Sequence, residues 1–213
     1  MTTSQRLAKR ALREALTTAR RQLPIAELGI SSRALAGHLL AAPEVRGAAT
    51  VAAYVSLGSE PGTSWLLDGL RSAGARVLLP VLLPDGDLDW AAYDGADSLA
   101  PGTRGLLEPT GRRLGVEAVA GADAVLVPGL AVSSTGMRLG RGGGSYDRVL
   151  ARVPVGTFTC VLLHEGETGQ EVPAEAHDRA VTAVATPSGI RRFGVPVSRP
   201  GPQGPPGPPG PQG

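Results

Sequence analysis

The sequence predicts an α/β domain with a largely parallel central sheet. Segments with helical periodicity alternate along the chain with short apolar runs that are typical of buried strands. Hydrophobic residues make up 42% of the 213 residues and aromatic residues only 3%, so we expect a core of Leu, Val, Ile and Ala. The single cysteine, Cys160, excludes a disulfide framework and a multi-thiolate metal site. One compact domain suits this length.

Four segments are predicted to be helices because their apolar residues recur every three or four positions. They are residues 4–22, 31–42, 62–73 and 144–152. In the first, Ser4 is a candidate cap, and the predicted apolar stripe consists of Ala8, Leu12, Ala15 and Ala19. The second is predicted to begin at Ser31 or Ser32, because a hydroxyl side chain suits a helix start.

Short apolar runs between these helices are predicted to be strands. They are residues 50–56, 76–83, 88–93, 124–127, 157–163 and 180–185. The turn Pro84-Asp85-Gly86 separates the second run from the third. Because ligands bind beyond the carboxyl ends of the strands in such sheets, we expect a site directly after residues 124–127.

The last fourteen residues, 200–213, differ in composition from the rest. Glycine recurs at every third position from Gly201 to Gly213, which is the Gly-X-Y period of collagen. Four triplets are few for a triple helix, so we expect a disordered tail of polyproline-II character, with trimerisation through this tail as the alternative. Residues 1–199 are therefore predicted to form the single folded domain.

The charged residues point towards a small anionic ligand. Twenty arginines and one lysine, Lys9, face 19 acidic residues, which gives a net charge of +2. Neither a long basic run nor an aromatic-rich basic strand is present, so we expect no nucleic-acid partner. No apolar run of about 18 residues predicts a membrane span. No apolar segment of the kind found in secretory signals follows the basic N-terminus, so the protein is predicted to be cytoplasmic.

The segment after residues 124–127 is rich in glycine and arginine. Gly140 and residues 142–144 precede a predicted helix, and the flanking arginines are Arg138, Arg141 and Arg148. Backbone N–H groups converge in such loops and the helix start adds partial positive charge, so the pattern indicates an anion site, with a structural turn as the alternative. The missing Gly-Lys-Ser/Thr ending excludes a Walker A loop.

This loop, RLGRGGGSYD after VPGLAVSSTG, resembles that of the 5-formyltetrahydrofolate cyclo-ligase family, also called 5,10-methenyltetrahydrofolate synthetase. Further segments are similar to motifs of that family and follow in the same order: Lys9-Arg-Ala-Leu-Arg13, Tyr54-Val-Ser56 with Glu60-x-x-Thr63, Leu107-Glu-Pro109, and Pro173-x-Glu175-x-His177-Asp178. The similarity spans residues 9–186. It implies a three-layer α/β/α Rossmann-like fold related to that of the CoA-transferases.

The resemblance implies an ATP-dependent cyclisation of 5-formyltetrahydrofolate to 5,10-methenyltetrahydrofolate, with release of ADP and phosphate through a phosphorylated formyl intermediate. The expected small-molecule partners are a reduced folate and ATP, with Mg²⁺ as the metal. The nucleophile belongs to the folate, so the protein has to supply positioning and charge neutralisation. A monomer or weak homodimer is expected.

The resemblance also implies the roles of individual residues. Lys9 and Arg138 are the expected catalytic residues. The expected ATP-binding residues are Lys9, Arg13, Arg138, Leu139, Gly140, Arg141, Gly142, Gly143, Gly144, Ser145, Tyr146 and Asp147. Tyr54, Glu60 and Tyr146 are expected to bind the folate, and Asp147 and Asp178 to bind the metal.

Each of these roles has an alternative. Lys9 and Arg13 could instead form a solvated basic face of a helix, and Asp147 could stabilise the start of a helix by its charge. Glu60 could be an acidic loop residue without a binding role, and Tyr146 an ordinary buried tyrosine. Family members commonly have aromatic residues where this chain has Val132, Arg141 and Ser145. Loss of ring stacking there leaves open a folate- or nucleotide-binding paralogue with weak or altered activity.

Overall fold

The computed structural model describes residues 3–173 and 179–194. Its helices are α1 (Thr3–Arg21), α2 (Ile25–Ala41), α3 (Pro43–Arg46), α4 (Ser64–Ser72) and α5 (Ser145–Arg152). Its strands are β1 (Thr50–Ala52), β2 (Arg76–Leu82), β3 (Leu88–Ala92), β4 (Leu99–Pro101), β5 (Leu107–Pro109), β6 (Ala124–Pro128), β7 (Ala131–Val132), β8 (Arg138–Leu139), β9 (Phe158–Leu162), β10 (Ala183–Thr186) and β11 (Gly189–Arg192). The collagen-like segment 200–213 lies outside the described residues.

The central sheet has seven strands in the order β11-β10-β9-β6-β1-β2-β3. Its five inner strands are parallel to one another, and the edge strands β11 and β3 are antiparallel to the strands beside them. The sequence-based prediction of an α/β fold with a largely parallel sheet is therefore confirmed. The short pairs β4–β5 and β7–β8 lie outside this sheet.

Apolar clusters cover both faces of the sheet. Successive residues of a strand point to opposite faces, so neighbouring residues belong to different clusters. On one face, Val51 and Leu126 belong to a buried cluster with residues of α2 and α4. On the other face, Ala52 and Val125 belong to a second cluster, to which α5 contributes Val149. The result is a three-layer arrangement, as the sequence predicts.

The predicted apolar stripe of α1 is wrong except at Leu12. Ala8, Ala15 and Ala19 are exposed, and the buried residues of the helix are Lys9 and Arg20. The apolar contacts of α1 come from Leu12 and Leu16, which pack against the small cluster of Leu130, Ala131 and Leu139. Apolar periodicity failed because this helix lies against a polar cavity and polar loops instead of the apolar sheet.

Helix α2 begins earlier than predicted. It starts at Ile25 after Pro24, so Ser32 lies inside the helix, where its hydroxyl donates to the Leu28 carbonyl at 2.7 Å. A helical serine can satisfy its hydroxyl on the preceding turn in this way, so it need not mark a helix start. In the part of the chain that the structure describes, no helix has the length and apolar character needed to cross a membrane.

Candidate active site

A cavity of about 580 Å³ lies at the carboxyl ends of β1, β2 and β6, where Tyr54, Leu82 and Pro128 line it. This is the edge of the sheet at which ligands bind in folds of this class. The structure brings together there almost all of the sequence-predicted site residues: Lys9, Arg13, Tyr54, Glu60, Arg138, Leu139, Gly140, Arg141, Gly142, Gly143, Gly144, Ser145, Tyr146 and Asp147. Asp178 lies outside the described residues, as do Glu175 and His177 of the same motif.

One wall of the cavity is basic and comes from α1. Lys9 and Arg13 are four residues apart, so they lie on the same side of the helix, and both line the cavity. Lys9 is only 7% exposed, which excludes the alternative of a solvated basic face for this residue. Arg13 donates from Nε to the Gly140 carbonyl at 2.9 Å and so connects α1 to the glycine loop.

The glycine loop, residues 140–144, leads into the first turn of α5. Gly142 and Gly144 have φ values of 101° and 71°, a left-handed conformation that favours glycine. At Gly142 an added Cβ would stand 3.5 Å from the guanidinium carbon of Arg13, which is an ordinary van der Waals distance, so the backbone conformation is what favours glycine there. The loop amides and the start of α5 thus lie beside the basic wall, an arrangement that suits a phosphorylated ligand.

The β2–β3 turn holds α5 in place, a connection that local sequence patterns did not predict. Ser145 and Arg148 both donate to the Gly86 carbonyl. Arg152 donates to both carboxylate oxygens of Asp87, from Nη1 at 2.9 Å and from Nη2 at 2.6 Å. This hydrogen bonding by the arginine is the main cause that lowers the pKa of Asp87.

Arg138, on β8, connects the loop after β6 to α5. It donates from Nη2 to Oδ1 of Asp147 at 2.7 Å and from Nη1 to the Pro128 carbonyl at 3.1 Å. Its guanidinium carbon also lies 5.8 Å from the ring centre of Tyr146. Arg138 is buried, so its charge is held in a fixed position at the cavity wall.

Tyr54, Glu60 and Tyr146 also line the cavity. Glu60 accepts from the Leu57 amide at 2.9 Å and forms an ion pair with Arg141 at 3.1 Å. Burial raises the pKa of both phenols, so they remain protonated donors at neutral pH. The buried Tyr54 hydroxyl has no hydrogen-bond partner among the described residues, which leaves this donor for a ligand.

The three positions at which family members commonly have aromatic residues, 132, 141 and 145, do not all lie in the cavity. Arg141 and Ser145 line the cavity, whereas Val132 is fully buried in the core cluster on the α5 face of the sheet. Position 132 therefore offers no cavity wall on which a ring could stack. Sequence patterns missed several lining residues, among them Arg6, Arg104, Leu57 and Leu106, because none of these residues belongs to a motif with a recognisable spacing.

The candidate metal ligand within the described residues is Asp147. Its Oδ1 accepts from Arg138 and its side chain is 31% exposed. Across residues 3–173 and 179–194, no three His, Cys, Asp or Glu side chains form a group able to hold a metal ion. Mg²⁺ often binds through one or two carboxylates together with phosphate oxygens, so a single carboxylate beside a phosphate-binding loop is compatible with that ion.

The fold and the cavity together define a class: an α/β protein with a basic, glycine-lined cavity at the carboxyl ends of its strands. The family model of 5-formyltetrahydrofolate cyclo-ligases matches residues 5–187. The chain belongs to the 5-formyltetrahydrofolate cyclo-ligase family.

Individual relatives agree with this membership. The chain is 42% identical over 185 residues to a 5-formyltetrahydrofolate cyclo-ligase of Mycolicibacterium smegmatis, covering 84% of this chain and 94% of that protein. It is 33% identical over 189 residues to the enzyme of the same name from Escherichia coli, with coverages of 85% and 97%.

Solved structures agree as well. The NMR structure of Aquifex aeolicus 5,10-methenyltetrahydrofolate synthetase matches with a TM-score of 0.76 and 26% identity, over 87% of this chain and 92% of that chain. The structure of a 5,10-methenyltetrahydrofolate synthetase from Mycoplasma pneumoniae matches with a TM-score of 0.68 at 18% identity, over 84% and 98% of the two chains. The second match supports the fold.

Proposed function

We propose that this protein uses ATP to cyclise 5-formyltetrahydrofolate to 5,10-methenyltetrahydrofolate, releasing ADP and phosphate. The observation on which the proposal rests is the cavity itself. It is lined by Lys9, Arg13 and the glycine loop, and also by Tyr54 and Glu60. The basic residues and the glycine loop suit a triphosphate. Tyr54 and Glu60, which are hydrogen-bonding groups with apolar neighbours, suit a polar heterocycle.

The reaction has two steps. In the first, the formyl oxygen attacks the γ-phosphorus of ATP, the bond from that phosphorus to the bridging oxygen breaks, and ADP leaves. In the second, N10 of the folate attacks the formyl carbon and loses its proton, and the former formyl oxygen leaves as part of phosphate. Phosphorylation is needed because the oxygen of a formamide is otherwise a poor leaving group.

The proposed task of the protein in the first step is to position two anionic groups and to neutralise charge. Lys9 supplies a compact ammonium charge, and Arg13 and Arg138 supply planar donors for phosphate oxygens. The amides of residues 142–144 and the start of α5 add donors that need no reorganisation during the reaction. Because Arg138 and Arg13 are already hydrogen-bonded to the loop walls, their charges are oriented before the ligand binds.

For the folate, we propose that Glu60 binds the polar edge of the pterin and that Tyr54 and Tyr146 contact the ring system. Glu60 accepts hydrogen bonds, and the pterin ring presents N–H groups that can donate them. Its ion pair with Arg141 holds the carboxylate in the cavity wall. The protonated Tyr54 hydroxyl can donate to a substrate oxygen or nitrogen.

We further propose that Mg²⁺ accompanies ATP and that Asp147 contributes a carboxylate to it, with Asp178 as a second candidate. When bound, Mg²⁺ would neutralise charge on the phosphate oxygens. Because Arg138 already occupies Oδ1 of Asp147, the other oxygen is the one available to a cation.

We also propose that the protein is cytoplasmic and that it is a monomer or a weak homodimer.

The deciding experiment mixes purified protein with 5-formyltetrahydrofolate and MgATP and follows the absorbance of the methenyl product. We expect product only when ATP is present, and its loss when EDTA removes the divalent cation. Binding of both substrates without product would instead support the alternative, a folate- or nucleotide-binding paralogue.

Sedimentation of the full chain and of a version ending at Arg199 tests trimerisation through the tail, and we expect the same oligomeric state for both.

A further inference from the structure

A buried ion pair lies at the end of α1, outside the cavity. Arg20 donates to both carboxylate oxygens of Glu167, from Nε and Nη2, each at 2.7 Å. The same Nη2 donates to the Gly129 carbonyl at 2.7 Å. Arg20 is 3% exposed and Glu167 6% exposed. The two residues are 147 positions apart in the chain, so the pair joins α1 to the loop after β9.

Stability alone is a weak explanation for this pair. Removing two charges from water costs free energy that their attraction only partly offsets, and apolar replacements of similar size are often equally stable. The Arg20 side chain is also incompletely satisfied, because its buried Nη1 has no hydrogen-bond partner among the described residues. A bidentate pair does, however, fix the relative orientation of two segments more sharply than apolar packing does.

The position of Arg20 on its helix suggests what is being oriented. Lys9, Arg13 and Arg20 follow at intervals of four and seven residues, and Arg20 is about three helical turns from Lys9. All three therefore lie on the side of α1 that faces the protein. Few apolar contacts fix α1, since Leu12 and Leu16 are the side chains it packs against the small Leu130 cluster. The polar contacts at Arg20 have to determine much of its placement.

The partners of Arg20 belong to the frame of the cavity. Gly129 lines the cavity and follows Pro128, whose carbonyl accepts from Arg138. Glu167 is itself fixed, because its Oε2 accepts from the His164 amide at 2.8 Å. Nε2 of the His164 ring is 2.9 Å from the carbonyl oxygen of Ser59, the residue before Glu60. Buried and partly buried hydrogen bonds, together with the chain neighbours Gly129–Pro128 and Ser59–Glu60, thus connect α1 to both Arg138 and Glu60.

We propose that Arg20 and Glu167 are positioning residues that hold α1 in the orientation in which Lys9 and Arg13 reach ATP. The inference rests on the proposed function and deepens it, because it means that the affinity for ATP depends on an ion pair, Arg20–Glu167, that does not line the cavity. Small displacements of a reacting or binding group have large effects on rate and affinity. Loss of the pair therefore weakens ATP binding more than folate binding, because Lys9 and Arg13 belong to α1 itself, whereas Glu60 is connected to the pair only through His164 and Ser59.

The test compares ATP binding by the parent and by Glu167→Gln, measured by calorimetry, together with the KM for each substrate. Glutamine keeps the size of the side chain and an acceptor oxygen but removes the charge. We expect the Kd and KM for ATP to rise about tenfold and the KM for 5-formyltetrahydrofolate to change less than about twofold. A purely structural role would lower the melting temperature and the active fraction without this split.

The matched control is Glu44→Gln. Glu44 accepts from Arg192 in the same bidentate manner, at 2.7 and 2.8 Å, and neither residue lines the cavity. We expect its ATP affinity to equal that of the parent. If Glu167→Gln does not fold, the double variant Arg20→Met/Glu167→Met replaces both charges by apolar groups and is expected to fold, again with weakened ATP binding.

A double-mutant cycle connects the pair to its target. If Arg20 and Glu167 act through α1, Glu167→Gln should change ATP affinity much less in a Lys9→Ala background than in the parent. Equal ATP affinity of the parent and the folded Glu167 and double-methionine variants would overturn this inference alone, as would full additivity in the cycle. Failure of the parent itself to bind ATP would overturn the proposed function as well.

Discussion

The first two helices of the chain are similar in length, 19 and 17 residues, but bury opposite kinds of side chain. Helix α2 covers one face of the sheet with Leu35 and Leu39, both almost fully buried. Helix α1 buries Lys9 and Arg20 and leaves all four of its alanines exposed. Because burial of charge is costly without partners, a helix that buries its basic residues indicates a task other than core formation.

The difference separates the support of the fold from the binding of ligand. Helix α2 contributes stability through apolar area removed from water, which does not depend on any ligand. Helix α1 contributes little apolar area, and its buried cations face the cavity or its frame. We therefore expect substitutions in α1 to alter activity more than stability, and substitutions in α2 to do the reverse.

The largest effect is expected for Lys9→Ala. Removal of a preorganised positive group from a phosphoryl-transfer site typically reduces the rate by a factor of about 10²–10³. The variant should remain folded, with a change in free energy of unfolding well below that caused by a large core truncation. Steady-state kinetics with MgATP and 5-formyltetrahydrofolate measure the first quantity, and urea unfolding measures the second.

Arg10→Ala is the matched control for Lys9→Ala. Arg10 is the next residue on the same helix, but it is exposed and pairs with Glu14 on the surface at 2.8 Å. We expect parental activity for this variant. Equal rates for the Lys9 and Arg10 variants would contradict the assignment of Lys9 to the phosphates and would remove the functional distinction between α1 and α2.

Leu39→Ala is expected to have the largest effect on stability. Leu39 is fully buried between α2 and the sheet, and truncation of such a leucine costs about 2–5 kcal/mol. The KM values for both substrates should equal those of the parent at temperatures at which the variant is folded. An altered KM for ATP in folded Leu39→Ala would mean that α2 also determines the geometry of the cavity.

The same contrast explains how far sequence patterns could predict this molecule. Alternating helical and strand periodicity predicted the parallel sheet because the sheet residues and α2 pack against apolar surfaces, where periodicity reports burial. It predicted the wrong face for α1, because Lys9 lines the cavity and Arg20 is buried by a polar partner, Glu167, that lies far away in the chain. No local pattern reports such a pair.

The candidate site shows a similar division. Its glycine loop could be predicted from local spacing, because a glycine run that precedes a helix and is flanked by arginines indicates an anion site, with a structural turn as the alternative. The resemblance of short motifs added Lys9 and Glu60, and the structure brings these residues to one cavity, although their roles remain predictions. The contacts of Gly86 with Ser145 and Arg148 could not be predicted, since they depend on how a hairpin turn packs against a helix.

A smaller effect is expected at α5, which combines the properties of both helices. It buries Val149 in the core, and Arg152 binds the carboxylate of Asp87 near the cavity. Asp87→Asn should lower the free energy of unfolding by about 1–2 kcal/mol at pH 7, because a hydrogen bond to a charged group is lost. Urea unfolding as a function of pH measures the difference.

The pH dependence of that difference has a definite sign. Arg152 lowers the pKa of Asp87 from its ordinary value of 3.8, so the carboxylate contributes stability that is fully present above that value. The contribution is lost as the pH falls through the lowered pKa of the folded state. The parent and Asp87→Asn should therefore converge in acid. Glu14→Gln, in the exposed Arg10 pair, should show no such convergence, and a constant difference for Asp87→Asn would contradict the explanation.

The smallest effect is expected for Ala15→Gln on the exposed side of α1. Glutamine is a good helix former, so the free energy of unfolding should change by less than about 0.5 kcal/mol. The matched substitution in α2, Ala36→Gln, places a larger polar side chain at a buried position and should cost about 1–3 kcal/mol. Urea unfolding and sedimentation of both variants measure this contrast. A large loss for Ala15→Gln with a fall in molecular mass would mean that a second copy covers the alanines, and α1 would then bury an apolar face as α2 does.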